Sequence, residues 1–273
     1  MVIDGRKMAD GVLARAKARA QALAHAPRVL AIATSETPAT KSYLSIKEKR
    51  AADAGCEFSV LQFPDTVSAE ELQSAILASD ADAIIVQLPL AEGINAQAVC
   101  DAIPVGKDAD VLSDAARQKF ARDDSDALLP PVVGAVAEIF HTEGINPKGK
   151  HALVIGRGFL VGAPVAMWLA QHGAQVATAG RSTPDFPTLL ADADIIISGA
   201  GSPHLITPGM LKKETVLIDA GTSESGGTIV GDANPSCAAK CSVFTPVPGG
   251  VGPLAVAKLF ENAVTLAEKA IQN

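Results

Sequence analysis

The sequence predicts an α/β fold built of two units with parallel sheets, and three observations carry that reading. Short apolar runs alternate with helix-like stretches along nearly the whole chain, and crossover connections turn such an order into parallel sheets. The 273 residues suit one large α/β domain or two modest ones. Hydrophobic residues reach 48% with aromatics at only 4%, much of the remainder being alanine, a composition that favours helices over a β-sandwich.

Taken in order, residues 4–23 read as a helix ended by Pro27, and RVLAIAT (28–34) as a short strand. KSYLSIKEKRAADAG follows as a helix stopped at Gly55, EFSVLQF (57–63) as a strand, and SAEELQSAILAS as a helix opened by a capping box, Ser68 with Glu71 three residues on. ADAIIVQ (81–87) is a buried strand. Residues 104–131, rich in Asp and ending at Pro130-Pro131, read as an irregular connection out of the first unit. VVGAVAEIFHTEG (132–144) reads as a helix closed by Gly144. A second alternating series then runs HALVIG, a helix to Gly173, AQVATAG, a helix, ADIIISGAG, a short helix opened by Thr207-Pro208, and TVLIDAG. VGPLAVAKLFENAVTLAEKAI closes the series as a long helix with Pro253 near its first turn.

Charge excludes several function classes. The net charge is −7 and no basic run stands out, which argues against nucleic-acid partners and against attachment to anionic membranes. No apolar stretch approaches the roughly 20 residues that span a bilayer, and the charged start MVIDGRKMADGV lacks the apolar core of a secretory signal. These features predict a cytoplasmic chain. Cys56, Cys100, Cys237 and Cys241 form no CxxC pair and read as reduced, buried thiols. Among five histidines only His141 has a helical partner, Glu138, so no metal site is expected.

The richest local signal is GKHALVIGRGFLVGAPVAMWLAQHG. It gives a strand, Gly156-Arg157-Gly158, three residues, Gly162 and a helix. Such a turn lets the backbone approach a phosphate and aims helix N–H groups at it, and the strand and helix on either side supply the context that a bare glycine spacing lacks. The alternative is tight glycine packing without a ligand. A reader of a ribose 2′-hydroxyl would be a carboxylate at the end of the next strand, about 20 residues on. The chain has Thr178-Ala179-Gly180-Arg181-Ser182-Thr183 there, an arginine with hydroxyls. Guanidinium pairs bidentately with phosphate, so NADP is favoured over NAD.

The chain's single tyrosine, Tyr43, stands one helical turn before Lys47, on the same face. On its own the pair reads as a solvated helix surface, with the lysine stem covering the ring. Tyr-x-x-x-Lys is also the short-chain dehydrogenase pattern, but there it follows the glycine turn, whereas here it precedes Gly156 by more than 100 residues. VQLPL places Gln87 at the carboxyl end of a strand, where ligands bind in parallel sheets. TPVPGGVGP (245–253) fixes backbone shape and permits close approach to a flat ligand, or else forms a rigid interdomain loop.

IDGRKMA, PATKSYLSIKEKRAADAG, IIVQLPL, KDAD, VIGRGFLVGAP, Gly231-Asp232 and, most specifically, TPVPGGVGPLAVAKL together resemble the bifunctional methylenetetrahydrofolate dehydrogenase/methenyltetrahydrofolate cyclohydrolase family, nearly end to end. The resemblance implies two α/β domains flanking a cleft. Residues 1–133 would be a folate-binding, catalytic domain, with helix 253–273 packing back on it, and 134–252 a Rossmann-type NADP-binding domain. It further implies tetrahydrofolate derivatives as ligands, a homodimer, and a place in one-carbon metabolism and purine biosynthesis. Lys47 matches the catalytic lysine, Tyr43 the tyrosine that stacks on the folate, Gln87 the glutamine that assists the lysine, and Asp110 the aspartate that holds the folate ring system. Leu88, Pro248, Gly249 and Gly250 fall in substrate-contacting segments. Gly156, Arg157 and Gly158 fall on the cofactor turn, Arg181 and Ser182 where the 2′-phosphate is read, and Thr222 on a further cofactor contact.

The implied chemistry divides in two. Hydride transfer from the one-carbon bridge leaves a cation that the ring nitrogens stabilise, so it depends on positioning. Hydrolysis of that cation needs proton transfer, which suits a lysine of lowered pKa. Lys41, Lys49 and Arg50 are nearby in sequence and, with burial, are candidates for lowering it. Three positions depart from the family pattern. Asp110-Val111 replaces an aspartate–glycine step, Pro130-Pro131-Val132-Val133 replaces Pro-Cys-Thr-Pro, and Gly158 replaces a serine. A single-activity dehydrogenase and a non-catalytic folate- or nucleotide-binding homologue are the rival readings. A shikimate-type dehydrogenase leaves VQLPL and TPVPGGVGP unexplained.

Overall fold

The computed structural model describes residues 1–34, 37–180, 183–225 and 228–272. It divides into two compact units, Asp10–Pro131 with Val256–Asn273, and Met1–Ala9 with Val132–Ala255. Each unit takes a short segment from the opposite end of the chain.

The chain begins with α1 (Gly5–Ala20), β1 (Arg28–Ala33), α2 (Pro38–Asp53), β2 (Glu57–Gln62), α3 (Ala69–Ala78), β3 (Ala83–Val86), α4 (Ala96–Cys100) and α5 (Asp114–Ala121). Strands pair in parallel in the order β2-β1-β3, with Ile32 opposite both Leu61 and Val86. Local chemistry sets the helix starts. Thr37 caps α2 by accepting from the Thr40 N–H, with Pro38 at the first helical position. The expected capping box of α3 is present in both directions, Ser68 with Glu71. Ile32, Leu72, Ile76, Ile84, Val86, Val99 and Leu112 form a continuous core beside the sheet.

The stretch 104–131, expected to be an irregular connection, contains a helix, α5. Ser113 caps α5 by accepting from the Ala116 N–H, and Ala116 and Phe120, one turn apart, are buried. A run of acidic and basic side chains on the exposed face hides that two-residue apolar stripe.

The second series is α6 (Pro131–Thr142), β4 (His151–Ile155), α7 (Gly162–Gln171), β5 (Gln175–Ala179), α8 (Phe186–Asp192), β6 (Ile195–Ser198), β7 (Thr215–Asp219), β8 (Ser223–Ser225), β9 (Thr228–Val230), β10 (Cys241–Phe244) and α9 (Val251–Gln272). Five strands form a parallel sheet in the order β10-β7-β6-β4-β5. The order reverses at β4, whose neighbours are β5 on one side and β6 on the other, and ligands bind at such switch points outside the carboxyl ends of the strands. β8 and β9 form a separate antiparallel pair. The first residues run beside β10, with the Ile3 N–H donating to the Phe244 carbonyl at 2.8 Å. The four cysteines are buried free thiols. Among the described residues no helix is long and apolar enough to cross a membrane.

Candidate active site

In the unit that holds residues 10–131, three sequence-predicted residues come together. α2 carries Tyr43 and Lys47 one turn apart, and Gln87 follows β3, its N–H continuing the sheet to the Ile32 carbonyl at 2.8 Å. Lys47 Nζ donates to Gln87 Oε1 at 2.9 Å. Gln87 Nε2 donates to the Leu88 carbonyl at 2.8 Å, which fixes which end of the amide faces the lysine. Gln87 is buried at 8% exposure, whereas Tyr43 is half-exposed, its ring free to meet a flat ligand. Leu88 precedes a cis Pro89.

Burial lowers the pKa of Lys47, and the charge of Asp110 opposes that shift. Burial raises the Asp110 carboxyl, Lys47 opposes it, and Asp108 adds to it. Of the candidates for lowering Lys47, burial does so, and the cationic neighbours are not among the causes. Arg50 spends its guanidinium on Asp10 at 2.9 Å and Asp53 at 3.1 Å, and desolvation is what lowers the amine. A desolvated amine of lowered pKa, oriented by a fixed amide, is suited to hold and move a proton.

Two contributors escaped the sequence reading. Asp108, the first aspartate of KDAD, is buried and accepts from the Leu112 N–H (3.1 Å), the Ser113 N–H (2.8 Å) and the Ser113 hydroxyl (2.7 Å). It shapes the loop on which Asp110 stands. Thr34 Oγ1 accepts from the Ala91 N–H at 2.7 Å and so holds the segment after Gln87. The Asp110-Val111 step has a physical signature: Val111 sits at φ 56°, the left-handed region that a glycine would occupy without cost.

In the unit that holds residues 132–255, the glycine turn follows β4. Gly156 adopts φ 98°, and a Cβ there would lie 2.5 Å from the Gly199 carbonyl oxygen. A Cβ on Gly162 would lie 2.1 Å from the Gly156 carbonyl oxygen, so α7 must start with glycine to pack on the turn. Gly158 and Gly180 have nothing within 4 Å of a Cβ position, leaving open space over the ends of β4 and β5. The amide-rich turn and that space fit a dinucleotide phosphate. Arg157 is exposed, and its Nη2 donates to the Thr178 carbonyl at 3.4 Å. Arg181 and Ser182 lie outside the described residues. Thr222 is exposed just before β8.

Beneath this turn lies a buried carboxylate pair. Asp232 accepts from the Ser198 hydroxyl (2.7 Å), the Ala200 N–H (2.7 Å) and the Ser202 N–H (2.6 Å). Asp219 accepts from the Gly221 (3.0 Å) and Ala233 (2.8 Å) N–H groups. Burial pushes Asp219 up to about 6, with the Asp232 charge contributing. Pro248, Gly249 and Gly250 follow β10, where the Gly5 N–H donates to the Gly249 carbonyl at 3.0 Å. A Cβ on Gly5 would lie 1.8 Å from the Gly250 carbonyl oxygen, so part of this motif's glycine content serves backbone-to-backbone packing. No cluster of metal-ligating side chains exists among the described residues.

Residues 3–110 match the catalytic-domain model of tetrahydrofolate dehydrogenase/cyclohydrolase, and residues 130–271 match its NAD(P)-binding-domain model. The chain belongs to the tetrahydrofolate dehydrogenase/cyclohydrolase family. This dehydrogenase/cyclohydrolase is 36% identical to the bifunctional protein FolD of Lactobacillus gasseri over 89% of its own length and 88% of the relative's. Among solved structures it superposes on the bifunctional FolD enzyme of Campylobacter jejuni with a TM-score of 0.96 at 29% identity, over 99% of both chains. It superposes on the Trypanosoma brucei enzyme, a complex with NADP and an inhibitor, with a TM-score of 0.94 at 30% identity, over 100% of this chain and 99% of that one.

Proposed function

We propose that this enzyme oxidises methylenetetrahydrofolate to methenyltetrahydrofolate with NADP and hydrolyses the product to 10-formyltetrahydrofolate, with residues 1–133 and helix 253–273 as the folate-binding part and 134–252 as the NADP-binding part. The observation that carries the reading is the 2.9 Å bond from Lys47 to the buried, oriented amide of Gln87. Tyr43 stacks on the folate, and Asp110, with Leu88, Pro248, Gly249 and Gly250, holds it. NADP, when bound beside the glycine turn, would supply the acceptor for the hydride of the one-carbon bridge. Lys47, its pKa lowered by desolvation, moves the proton as water adds to the methenyl carbon and the ring opens. Gln87 keeps the amine aimed. Gly156, Arg157, Gly158, Arg181, Ser182 and Thr222 bind the cofactor, and the absence of a carboxylate in Thr178–Thr183 supports NADP over NAD. The enzyme works as a homodimer in the cytoplasm, supplying one-carbon units to purine biosynthesis; four unpaired cysteines accord with a reducing compartment.

Paired assays on wild type and Lys47→Met test the reading. One follows NADP reduction with methylenetetrahydrofolate, and the other follows loss of methenyltetrahydrofolate absorbance. Wild type performing both, with the variant losing the second by about 100-fold or more, supports it. Wild type that binds folate but turns over neither substrate overturns it, and wild type limited to NADP reduction reduces it to a single-activity dehydrogenase.

A further inference from the structure

The loop that presents Asp110 is held from both sides. Asp108 fixes the residues after it through Leu112 and Ser113. The peptide before it has a distant partner. The Ala109 carbonyl, which belongs to the same peptide group as the Asp110 N–H, accepts from Asn262 Nδ2 on α9 at 2.9 Å. The same nitrogen donates to the Leu129 carbonyl at 2.9 Å, so a single amide spends both protons tying residue 109 to residue 129. Ala109 is fully buried, and a buried carbonyl without a donor is costly. Val111 meanwhile holds a left-handed φ that a β-branched residue keeps only when its surroundings enforce it. A loop strained in this way needs its anchors.

We propose that Asn262 is a positioning residue for the folate half of the reaction: by clamping the Ala109–Asp110 peptide to the Leu129 turn, it sets where the Asp110 carboxylate stands for the substrate and for Lys47. The proposal rests on the role given to Asp110 above. Asn262 touches no reacting atom and acts through the loop. Its amide is suited to the task because it offers two donors to two carbonyl oxygens; a carboxylate of the same shape offers none and repels both. A purely structural asparagine would steady α9 without affecting folate kinetics, and that difference is measurable.

The experiment compares wild type with Asn262→Ala, Asn262→Asp and Asn262→Ser, the last keeping one donor, and with Thr265→Ala as a control on the same helix. Thr265 accepts from Arg19 of α1 and donates to the Glu261 carbonyl, so its loss disturbs α9 through bonds that do not involve Ala109 or Leu129. Steady-state KM and kcat are measured for methylenetetrahydrofolate and for NADP, with the pH profile of the cyclohydrolase step. The expected result is a KM for the folate raised about 10-fold or more in Ala and Asp and less in Ser, a KM for NADP within twofold, and a displaced pH profile. Thr265→Ala keeps both KM values. Folate KM within twofold in every folded Asn262 variant, or folate and NADP KM rising together, overturns the proposal. Should Asn262→Ala fail to fold, Asn262→Ser decides by the same criteria. Wild-type and Lys47→Met activities run alongside separate this outcome from failure of the proposed function itself.

Discussion

Gln87 presents its carbonyl, not its amino group, to Lys47, because its own Nε2 is committed to the Leu88 carbonyl 2.8 Å away. The amide therefore accepts a hydrogen bond from the amine without adding charge. Gln87→Glu puts an anion there and forfeits the bond to Leu88. An adjacent anion favours the ammonium form, so the variant's cyclohydrolase rate is expected to fall about 10- to 100-fold near neutral pH and to recover partly in alkali. A rate–pH series from 6 to 10 on both proteins checks this, and an unshifted profile would count against proton transfer by Lys47.

Asp110 acts on the same amine from the other direction, its charge raising the Lys47 pKa against desolvation. Asp110→Asn removes that support, so the rising limb of the cyclohydrolase profile should move to lower pH while the folate KM increases. A limb that moves upward would mean that Asp110 does not couple to the amine.

Asp219 predicts a pH dependence of stability. Its folded pKa, about 6, lies above its unfolded value. Between about 4 and 6 the folded chain keeps a proton that the unfolded chain has released, so this group's contribution declines as pH rises through that window, by at most about 3 kcal/mol. Asp219→Asn should flatten the dependence. Urea unfolding at pH 5 and 7.5 on wild type and variant reads the difference, and equal slopes would refute it.

The glycine turn makes two opposite predictions. Gly162→Ala drives a methyl into the Gly156 carbonyl and is expected to cost about 2 kcal/mol or more, with weaker NADP binding. Gly158→Ser meets open space, should leave stability within about 0.5 kcal/mol, and should tighten NADP by restoring a hydroxyl beside the phosphate. Unfolding curves and NADP titrations separate the two effects.

Val111 is 3% exposed yet left-handed. At an ordinary buried site Val→Gly is worse than Val→Ala. Here alanine keeps the strain and loses the side chain, whereas glycine recovers about 1 kcal/mol or more of it. Val111→Gly is therefore expected to be the less destabilising, and the reverse order in denaturant midpoints would rule out backbone strain at this position.

Much of this architecture is legible in the chain. Alternating apolar runs and glycine stops gave most strands and helices, and the spacing of Tyr43 and Lys47 is a local property of one helix. What stayed hidden is short or remote. β8, β9 and β10 have three or four residues each, too few to display a period. α5 carries its apolar stripe on two residues inside a charged run. The Lys47–Gln87 bond joins residues 40 apart; the strand ends place both on one rim and the resemblance gives the pair its roles, whereas the Asn262 clamp joins residues 153 apart and no local pattern announces it. Likewise Lys41, Lys49 and Arg50 suggested charge repulsion at Lys47, but sequence proximity carries no information on burial, which is what shifts the amine.

The division of the chain also has a consequence for its birth on the ribosome. Residues 1–9 belong with 132–255, and residues 256–273 belong with 10–131. Residues 1–9 must wait for residues 132–255 to be made, and the unit begun by residues 10–131 lacks its closing helix, including the Phe260 that meets Phe58 edge-on, until those intervening residues have been translated. Neither unit can be released by a single cut, and a nascent chain stalled near residue 131 would present an uncovered apolar face to chaperones and proteases.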